Sequence, residues 1–467
     1  MIRSEETICA PATGSGGAIS IIRVSGQESL SIVSKIFFSL DKTVNILKNK
    51  GFTVVFGDIR NNDEVIDEVL VTIFRSPNSY TGENSVEISC HASHYIIKKI
   101  LELLISNGAS MAMPGEFTQR AFMNGRLDLL QAEAVADVIA SSTSLANRVA
   151  MNQMRGGFSS EIAKLRSELL NFASLIELEL DFGEEDVEFA DRSDLRKIII
   201  NVKDLADRLS HSFSAGNAIK NGIPVAIVGK PNSGKSTLLN SLLMEDRAIV
   251  SDIPGTTRDT IEDTIVIDGI EFRFIDTAGL RETTDVIESM GIKKTFEKID
   301  QASVVLLIDE ISDSAEKINK RIKTIREKII GKGKKLILLI NKTDTAFPGE
   351  EYKLREILLL EENETVLFIS AKKKTGLENL RNELSDVVIK DKISSDEVIV
   401  TNVRHYEALI KVSESLGRVL DGFERYMPDD LIATDIRQAI HYLGEITGVI
   451  TSDEILGNIF RNFCIGK

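Results

Sequence analysis

Long apolar runs are missing from this 467-residue chain. None approaches the roughly 18–20 residues that a membrane-spanning helix needs, so no membrane association through a span is expected. Cysteine is scarce too. Cys9, Cys90 and Cys464 lie far apart, which excludes a disulfide framework and fits a reducing compartment, with a cytoplasmic location expected. The opening segment, MIRSEETICAPATG, carries two acids and no apolar h-region, so no secretory signal is expected. Nor is there a surplus of positive charge: 56 basic residues against 71 acidic ones leave a net charge of −15. A surface of that sign does not draw phosphate backbones from a distance. DNA is therefore not an expected partner, and RNA requires a local basic site or a second protein.

What is present is apolar material for several cores, 43% of the residues, and a length that predicts two to four domains. Up to about Ala112, short apolar runs (Ala18–Val24, Thr53–Phe56, Val69–Phe74, Val86–Ser89) alternate with turn residues. They predict a strand-rich α+β domain with a helix near His94–Ser106. From Pro114 to Ala215 the period becomes helical. Leu127, Leu130, Ala134 and Val138 form one stripe, and Ile162, Leu165, Leu169 and Phe172 another. The acidic stretch ELELDFGEEDVEFAD, Glu177 to Asp191, reads either as a solvated face or loop or as a metal or partner site.

Between about Asn217 and Val388, buried-strand candidates (Val225–Val228, Val304–Ile308, Leu336–Ile340, Val366–Ile369) alternate with helices. This predicts a mostly parallel sheet covered on both faces. A hairpin, TIVIDGIEFRFID, turns at Asp268-Gly269. The remainder, about Ser394 to Lys467, is helical again, most clearly at Asp430–Leu443 and Asp453–Phe463. The patterning predicts an α+β N-terminal domain, all-α helical segments, and between them an α/β domain, which raises the possibility that the helical segments are one domain with the α/β unit inserted. The expected boundaries are 1–117, 118–216, 217–388 and 389–467, the second and fourth being two parts of one helical domain.

The segment 229–236, GKPNSGKS, fits G-x-x-x-x-G-K-[ST] and directly follows the apolar PVAIV. Its glycines let backbone N–H groups wrap a phosphate at a helix N-terminus. Asn232, Ser233, Gly234, Lys235, Ser236 and Thr237 are the expected contacts. Lys235 is suited to the β/γ-phosphates and Ser236 to Mg²⁺. A second loop, Ser251-Asp252-Ile253-Pro254-Gly255-Thr256-Thr257, offers the Thr257 hydroxyl to Mg²⁺. Asp276-Thr277-Ala278-Gly279 ends a hairpin strand, where the aspartate can hold Mg²⁺ through water and the Gly279 N–H can approach a γ-phosphate.

Base choice falls to Asn341-Lys342-Thr343-Asp344. A carboxylate at Asp344 accepts two hydrogen bonds from guanine N1–H and the exocyclic amine, which adenine cannot offer. Ser370-Ala371-Lys372 completes the base pocket, and the five elements together predict a guanine nucleotide site. One position departs from the Ras-like pattern: Leu280 follows DTAG where a water-orienting glutamine is usual. Arg258 and Arg281 are nearby candidates for transition-state charge, or surface ion pairs. Stabilisation there is worth about 10³–10⁵ in rate when an arginine finger provides it.

GKPNSGKS, SDIPGTTRD, DTAGLRETTDVIESMGI, PGEFTQRAFMNGRLDL and the terminal FCIGK stand in one chain. In that combination the whole sequence resembles the MnmE (TrmE) family of tRNA wobble-uridine modification GTPases. The PGEFTxRAF-type segment and the C-terminal C-[ILV]-G-K are its more specific marks. The resemblance implies a folate-binding α+β N-terminal domain, a discontinuous all-α helical domain and, inserted into it, an α/β Ras-like P-loop G domain. It also implies a homodimer joined through the N-terminal domain, with G domains that pair when GTP and K⁺ bind.

It further implies that Asn232 ligates K⁺ by its side chain, and Ser251, Ile253 and Thr256 by backbone carbonyls. Glu288 is implied as the catalytic glutamate that positions water. Arg23, Glu87, Arg126 and Lys467 are implied at a site for 5-formyl- or methylene-tetrahydrofolate, with an arginine paired to the folate carboxylate and a glutamate on the pterin. Arg126 replaces a commoner lysine, and Ser89-Cys90-His91-Ala92-Ser93 replaces a more glycine-rich stretch. Cys90, His91 and His94 lack a fourth ligand and read as packing rather than a zinc site.

The implied reaction adds an aminomethyl or carboxymethylaminomethyl group to carbon 5 of the wobble uridine, with a partner flavoprotein, MnmG, in a heterotetramer. FAD and NADH belong to that partner, as this chain has no dinucleotide fingerprint, and tRNA is expected to bind mainly there. The alternative is a ribosome-assembly or RNA-binding GTPase switch, which usually carries a basic appendage not found here. A third reading, a membrane-associated G protein, is not supported, because the sequence shows no amphipathic basic helix or lipidation motif.

Overall fold

A computed structural model of the chain describes residues 6–14, 16–181, 192–246, 263–275, 299–331, 333–389, 398–451, 453–461, 463 and 466. The chain divides into two compact units. One comprises Met1–Ala140, Ala150–Ser210 and Arg404–Lys467; the other comprises Ser141–Val149 and His211–Val403. Among the described residues no helix is long and apolar enough to cross a membrane.

The first unit opens with strands β1 (Ile8–Pro11), β2 (Ile19–Ser25), β3 (Phe37–Ser39), β4 (Thr53–Asn61), β5 (Glu64–Phe74), β6 (Ser85–His91) and β7 (Ser110–Met111). They form one sheet in the order β3-β4-β5-β6-β2-β1-β7. Alternation decides its faces. Val55 and Ile59 of β4, with Val69, Val71 and Ile73 of β5, are buried together with Ile100 and Leu104 of the helix His94–Ser106. Val54, Phe56 and Leu70, one residue out of step, point the other way and are exposed. The four apolar runs named above lie in β2, β4, β5 and β6, and the expected helix has the bounds observed.

The PGEFTQRAF segment is mainly structural. Gly115 has φ +71° and caps the helix Glu116–Met123; a Cβ there would meet the Phe460 carbonyl at 2.6 Å. Glu116 Oε2 accepts the Met113 N–H at 2.8 Å. Phe117 and Arg120 are buried, and the Arg120 guanidinium is paired with Glu116 at 3.0 Å and Glu83 at 3.3 Å.

The helical part of this unit packs Asp429–Thr447 along Gly157–Asp181. Ile162, Leu165, Leu169 and Phe172 are all buried, as their spacing predicts. The first stripe is shorter than expected: its helix is Leu129–Ala140, so Leu127 precedes it. A 22-residue helix, Val403–Glu424, lies in the stretch expected to be helical, though its own bounds were not singled out because its apolar residues are spread among charges. From this helix Arg404 and His405 meet the buried Glu133, at 3.1 and 2.7 Å. Burial alone would raise the Glu133 carboxyl, but the two cationic partners outweigh it and hold it at about 2. Residues 182–191 of the acidic stretch lie outside the described residues.

The second unit holds β8 (Ile223–Gly229), β9 (Asp263–Ile267), β10 (Ile270–Phe274), β11 (Val304–Glu310), β12 (Lys335–Asn341) and β13 (Glu364–Phe368). Their order is β13-β12-β11-β8-β10-β9. All neighbours run parallel except the β9–β10 hairpin. Asp268 and Gly269 turn that hairpin with φ of +51° and +81°, the two left-handed residues that a type I′ turn requires. β8, β11 and β12 are near-continuous buried apolar runs, as a doubly covered parallel sheet demands. The edge strand β13 is mostly half-buried, with Val366 its one buried side chain, so burial there is less complete than a buried strand implies.

Candidate functional site: a phosphate loop beside a base-recognition loop

β8 ends at Gly229, and the chain turns through a loop into the helix Lys235–Asp246. Two positions of the loop take left-handed backbone, Asn232 at φ +63° and Gly234 at φ +98°. Gly234 faces the Asn341 amide so closely that a Cβ would collide with it. Lys235 Nζ donates to the carbonyls of Gly229 at 2.9 Å and Lys230 at 2.7 Å. Its ammonium is thereby held over the loop where a phosphate would lie. Ser233 is fully buried, and its hydroxyl oxygen has no hydrogen-bond partner. Such an orphaned polar group suits a loop shaped for an anion and cation that complete it. Ser236 is half-buried and Thr237 exposed at the start of the helix, and Thr237 O lies 2.8 Å from Ser241 Oγ.

The residues expected to recognise a base converge on this loop from the ends of β12 and β13. Asn341 is buried and bonds in two directions: its Nδ2 donates to Ser233 O at 2.8 Å, and its Oδ1 accepts the Ala371 N–H at 3.0 Å. It therefore ties the two loops together. Lys342 takes φ +65°, which turns the chain into Thr343–Thr345. Asp344 is held by Ser370, whose Oγ donates to Asp344 Oδ1 at 2.6 Å. That bond keeps the exposed Asp344 carboxyl below the usual carboxylate range. Ser370 Oγ also accepts the Lys373 N–H at 3.2 Å, and Ala371 is buried beneath. Ser241 Oγ lies 2.8 Å from Ala371 O, and Lys372 is exposed.

Sequence reading missed the charges around these loops. Lys230 Nζ reaches Glu310 at 3.1 Å and Asp313 at 2.8 Å, and Lys342 Nζ pairs with the other oxygen of Glu310. Arg321 joins Asp313 at 2.9 Å to the fully buried Asp309 at 2.8 Å. Burial pushes the Asp309 carboxyl up despite Arg321. The available signal was position alone: Asp309-Glu310 follows the run VVLLI at the strand end beside the phosphate loop.

Several predicted site residues lie outside the described residues. They are Ser251, Asp252, Ile253, Pro254, Gly255, Thr256 and Thr257 of the second loop, Asp276, Thr277, Ala278 and Gly279, and also Arg258, Leu280, Arg281, Glu288, Cys464 and Lys467.

In the first unit, Arg23 on β2 and Glu87 on β6 are register partners. Arg23 Nε donates to Glu87 Oε1 at 2.9 Å, and its Nη1 lies 3.5 Å from Gly466 O. The guanidinium stacks on Tyr80 at 4.9 Å and on Phe117 at 5.6 Å. Arg126 is exposed, and its stem runs beside Gly82, two residues from Tyr80, where an added Cβ would meet it at 3.0 Å. Cys90 is packed in the sheet core, where burial pushes its thiol up to about 11. His91 Nδ1 is 2.7 Å from Asp67 Oδ1.

The family model for the MnmE helical domain matches residues 129–464, and that for the N-terminus of the GTP-binding protein TrmE matches residues 7–126. A tRNA modification GTPase MnmE of Bacteroides thetaiotaomicron is 54% identical over 99% of this chain and 100% of its own length. Its counterpart in Flavobacterium johnsoniae is also 54% identical, over 99% of this chain and 100% of its own length. Matches of this identity, running nearly end to end and meeting both family models, establish that the chain belongs to the MnmE (TrmE) family of tRNA modification GTPases.

Proposed function

We propose that this chain binds and hydrolyses GTP, and that hydrolysis controls modification of the tRNA wobble uridine carried out together with MnmG. The observation that carries this reading is the pair of hydrogen bonds made by the Asn341 amide, which join the phosphate loop at Ser233 to the base segment at Ala371. In this reading Asp344 accepts guanine N1–H and the exocyclic amine, and Lys235 exchanges the Gly229 and Lys230 carbonyls for phosphate oxygens. Mg²⁺ held by Ser236 and Thr257 supplies charge neutralisation at the β/γ-phosphates. The orphaned Ser233 hydroxyl and the close-approach glycine, Gly234, fit such a loaded loop.

The family's finer features are part of the same proposal. Asn232, Ser251, Ile253 and Thr256 hold K⁺, which supplies positive charge where an arginine finger acts elsewhere, and Glu288 orients the attacking water. The site is completed when G domains of two copies pair, so the working unit is a homodimer. The exposed Val54, Phe56 and Leu70 on the outward sheet face support self-association through the N-terminal domain. Arg23, Glu87, Arg126 and Lys467 bind a tetrahydrofolate that provides the one-carbon unit. Flavin chemistry and most tRNA contacts fall to MnmG. The functional domains are 1–117, 118–216 with 389–467, and 217–388.

GTP hydrolysis measured in K⁺ and in Na⁺, with Asn232→Ala alongside, tests the cation. Rates should be higher in K⁺ and should lose that preference in the variant; equal wild-type rates in both salts reject the cation assignment. Nucleoside analysis of tRNA from cells lacking the gene tests the product, and unchanged wobble uridines would reject the modification role.

A further inference from the structure

Glu310 is the last residue of β11, and both of its carboxylate oxygens are engaged by lysines from different loops. Oε2 takes Lys230 of the phosphate loop at 3.1 Å, and Oε1 takes Lys342 of the base-recognition loop. The backbone beside it is tied to the same place, since Ile311 N–H donates to Asn341 O at 3.0 Å. Lys342 is moreover the residue whose left-handed φ of +65° turns the chain toward Asp344. Its side-chain anchor and the turn that aims Asp344 are thus one residue. Glu310 is only 14% exposed, where such pairs are screened less than on an open surface.

From this geometry we infer that Glu310 is a positioning residue for guanine recognition: it clamps Lys342 to Lys230 and so fixes the base loop against the phosphate loop before nucleotide arrives. The inference rests on the guanine-nucleotide reading given above. Asp313 acts differently, because it holds Lys230 at 2.8 Å and Arg321 at 2.9 Å without touching Lys342.

A purely electrostatic role predicts the opposite sign. A carboxylate beside a phosphate site repels the ligand, so neutralising Glu310 would free Lys230 and tighten binding, more for GDP than for GMP. A clamp predicts weaker binding, equal for both, because the lost preorganisation concerns the base loop.

The experiment is displacement of a fluorescent GDP analogue from the full-length protein by GDP, GMP, IDP and ADP. The variants are Glu310→Gln, Glu310→Asp and Asp313→Asn, each with a thermal melt. In Glu310→Gln the Kd for GDP, GMP and IDP should each rise by about tenfold, the worth of one charge-assisted bond. Glu310→Asp should recover part of the loss, and Asp313→Asn should lose no more than about threefold.

Unchanged or tighter GDP binding in Glu310→Gln overturns the clamp. So does an equal loss in Asp313→Asn, or a melt lowered with Kd unchanged. If Glu310→Gln fails to fold, Glu310→Asp decides: a folded Asp variant that binds GDP as tightly as wild type also overturns it. Wild-type protein that binds ADP as well as GDP would instead sink the guanine reading itself, a result distinct from any of these.

Discussion

The nucleotide site and the N-terminal sheet site hold their polar groups by different means. At the phosphate loop itself, Lys235 and Asn341 bond to backbone: Lys235 to two loop carbonyls, and Asn341 to a carbonyl and an amide. On the N-terminal sheet, Arg23 meets Glu87, 64 positions away, by cross-strand register, with aromatic rings closing over it. A loop that shapes itself with backbone groups needs a fixed local order of residue types, and a motif is visible as a result. A pair made by register needs only that two strands align, and it leaves no local signature.

The contrast can be broken by substitution. The largest effect on stability is expected where a pair across the chain is buried. Glu133→Gln leaves Arg404 and His405 without their carboxylate and should cost about 3–5 kcal/mol in denaturant unfolding of the first unit. The same pair predicts acid sensitivity. Because the folded carboxyl lies at about 2 against an ordinary 4.5, its contribution is complete above pH 4.5 and lost as pH falls toward 2. Wild-type stability should fall across that window, and more steeply than in Glu133→Gln; parallel pH profiles would refute the assignment.

Asp344→Asn tests the other side of the comparison. Loss of charged hydrogen bonding to guanine should weaken GDP by about 2–3 kcal/mol, or ~30–150-fold in Kd, and should leave the melt unaffected. A drop in melting temperature with unchanged Kd would make Asp344 structural. Gly234→Ala should be smaller, about 1–3 kcal/mol, but should act on both readouts. It strains a φ of +98° and drives a Cβ into the Asn341 amide. Arg23→Ala should have the smallest effect, about 1–2 kcal/mol in unfolding of the first unit through lost stacking and pairing. Guanine nucleotide affinity should not change; if it does, the two sites are not independent.

Legibility followed the same division. The strands β2, β4, β5, β6, β8, β11 and β12, the helix His94–Ser106 and the turn at Asp268-Gly269 could be read from period and turn chemistry. The helix Val403–Glu424 fell in a stretch read as helical but its bounds could not be read, because its buried positions alternate with charges such as Arg404 that find partners only in the fold. The conspicuous PGEFTQRAF segment invites a functional reading, yet most of its side chains are consumed in packing: Phe117 and Arg120 are buried, and Gly115 gives way to the Phe460 carbonyl.

By itself the sequence determined which residue types stand in the loops and their order along the chain. GKPNSGKS, NKTD and SAK carry the backbone freedom, charge and hydrogen-bonding capacity on which the proposed phosphate and guanine contacts rest. Only the tertiary structure decided what Asn341 and Glu310 do. Parallel pairing brings the ends of β8, β11, β12 and β13 to one edge of the sheet. There the Asn341 amide becomes a bolt between loops and the Glu310 carboxylate a clamp between two lysines. Those roles depend on distances between segments far apart in sequence, and such distances are set by strand register rather than by any local pattern.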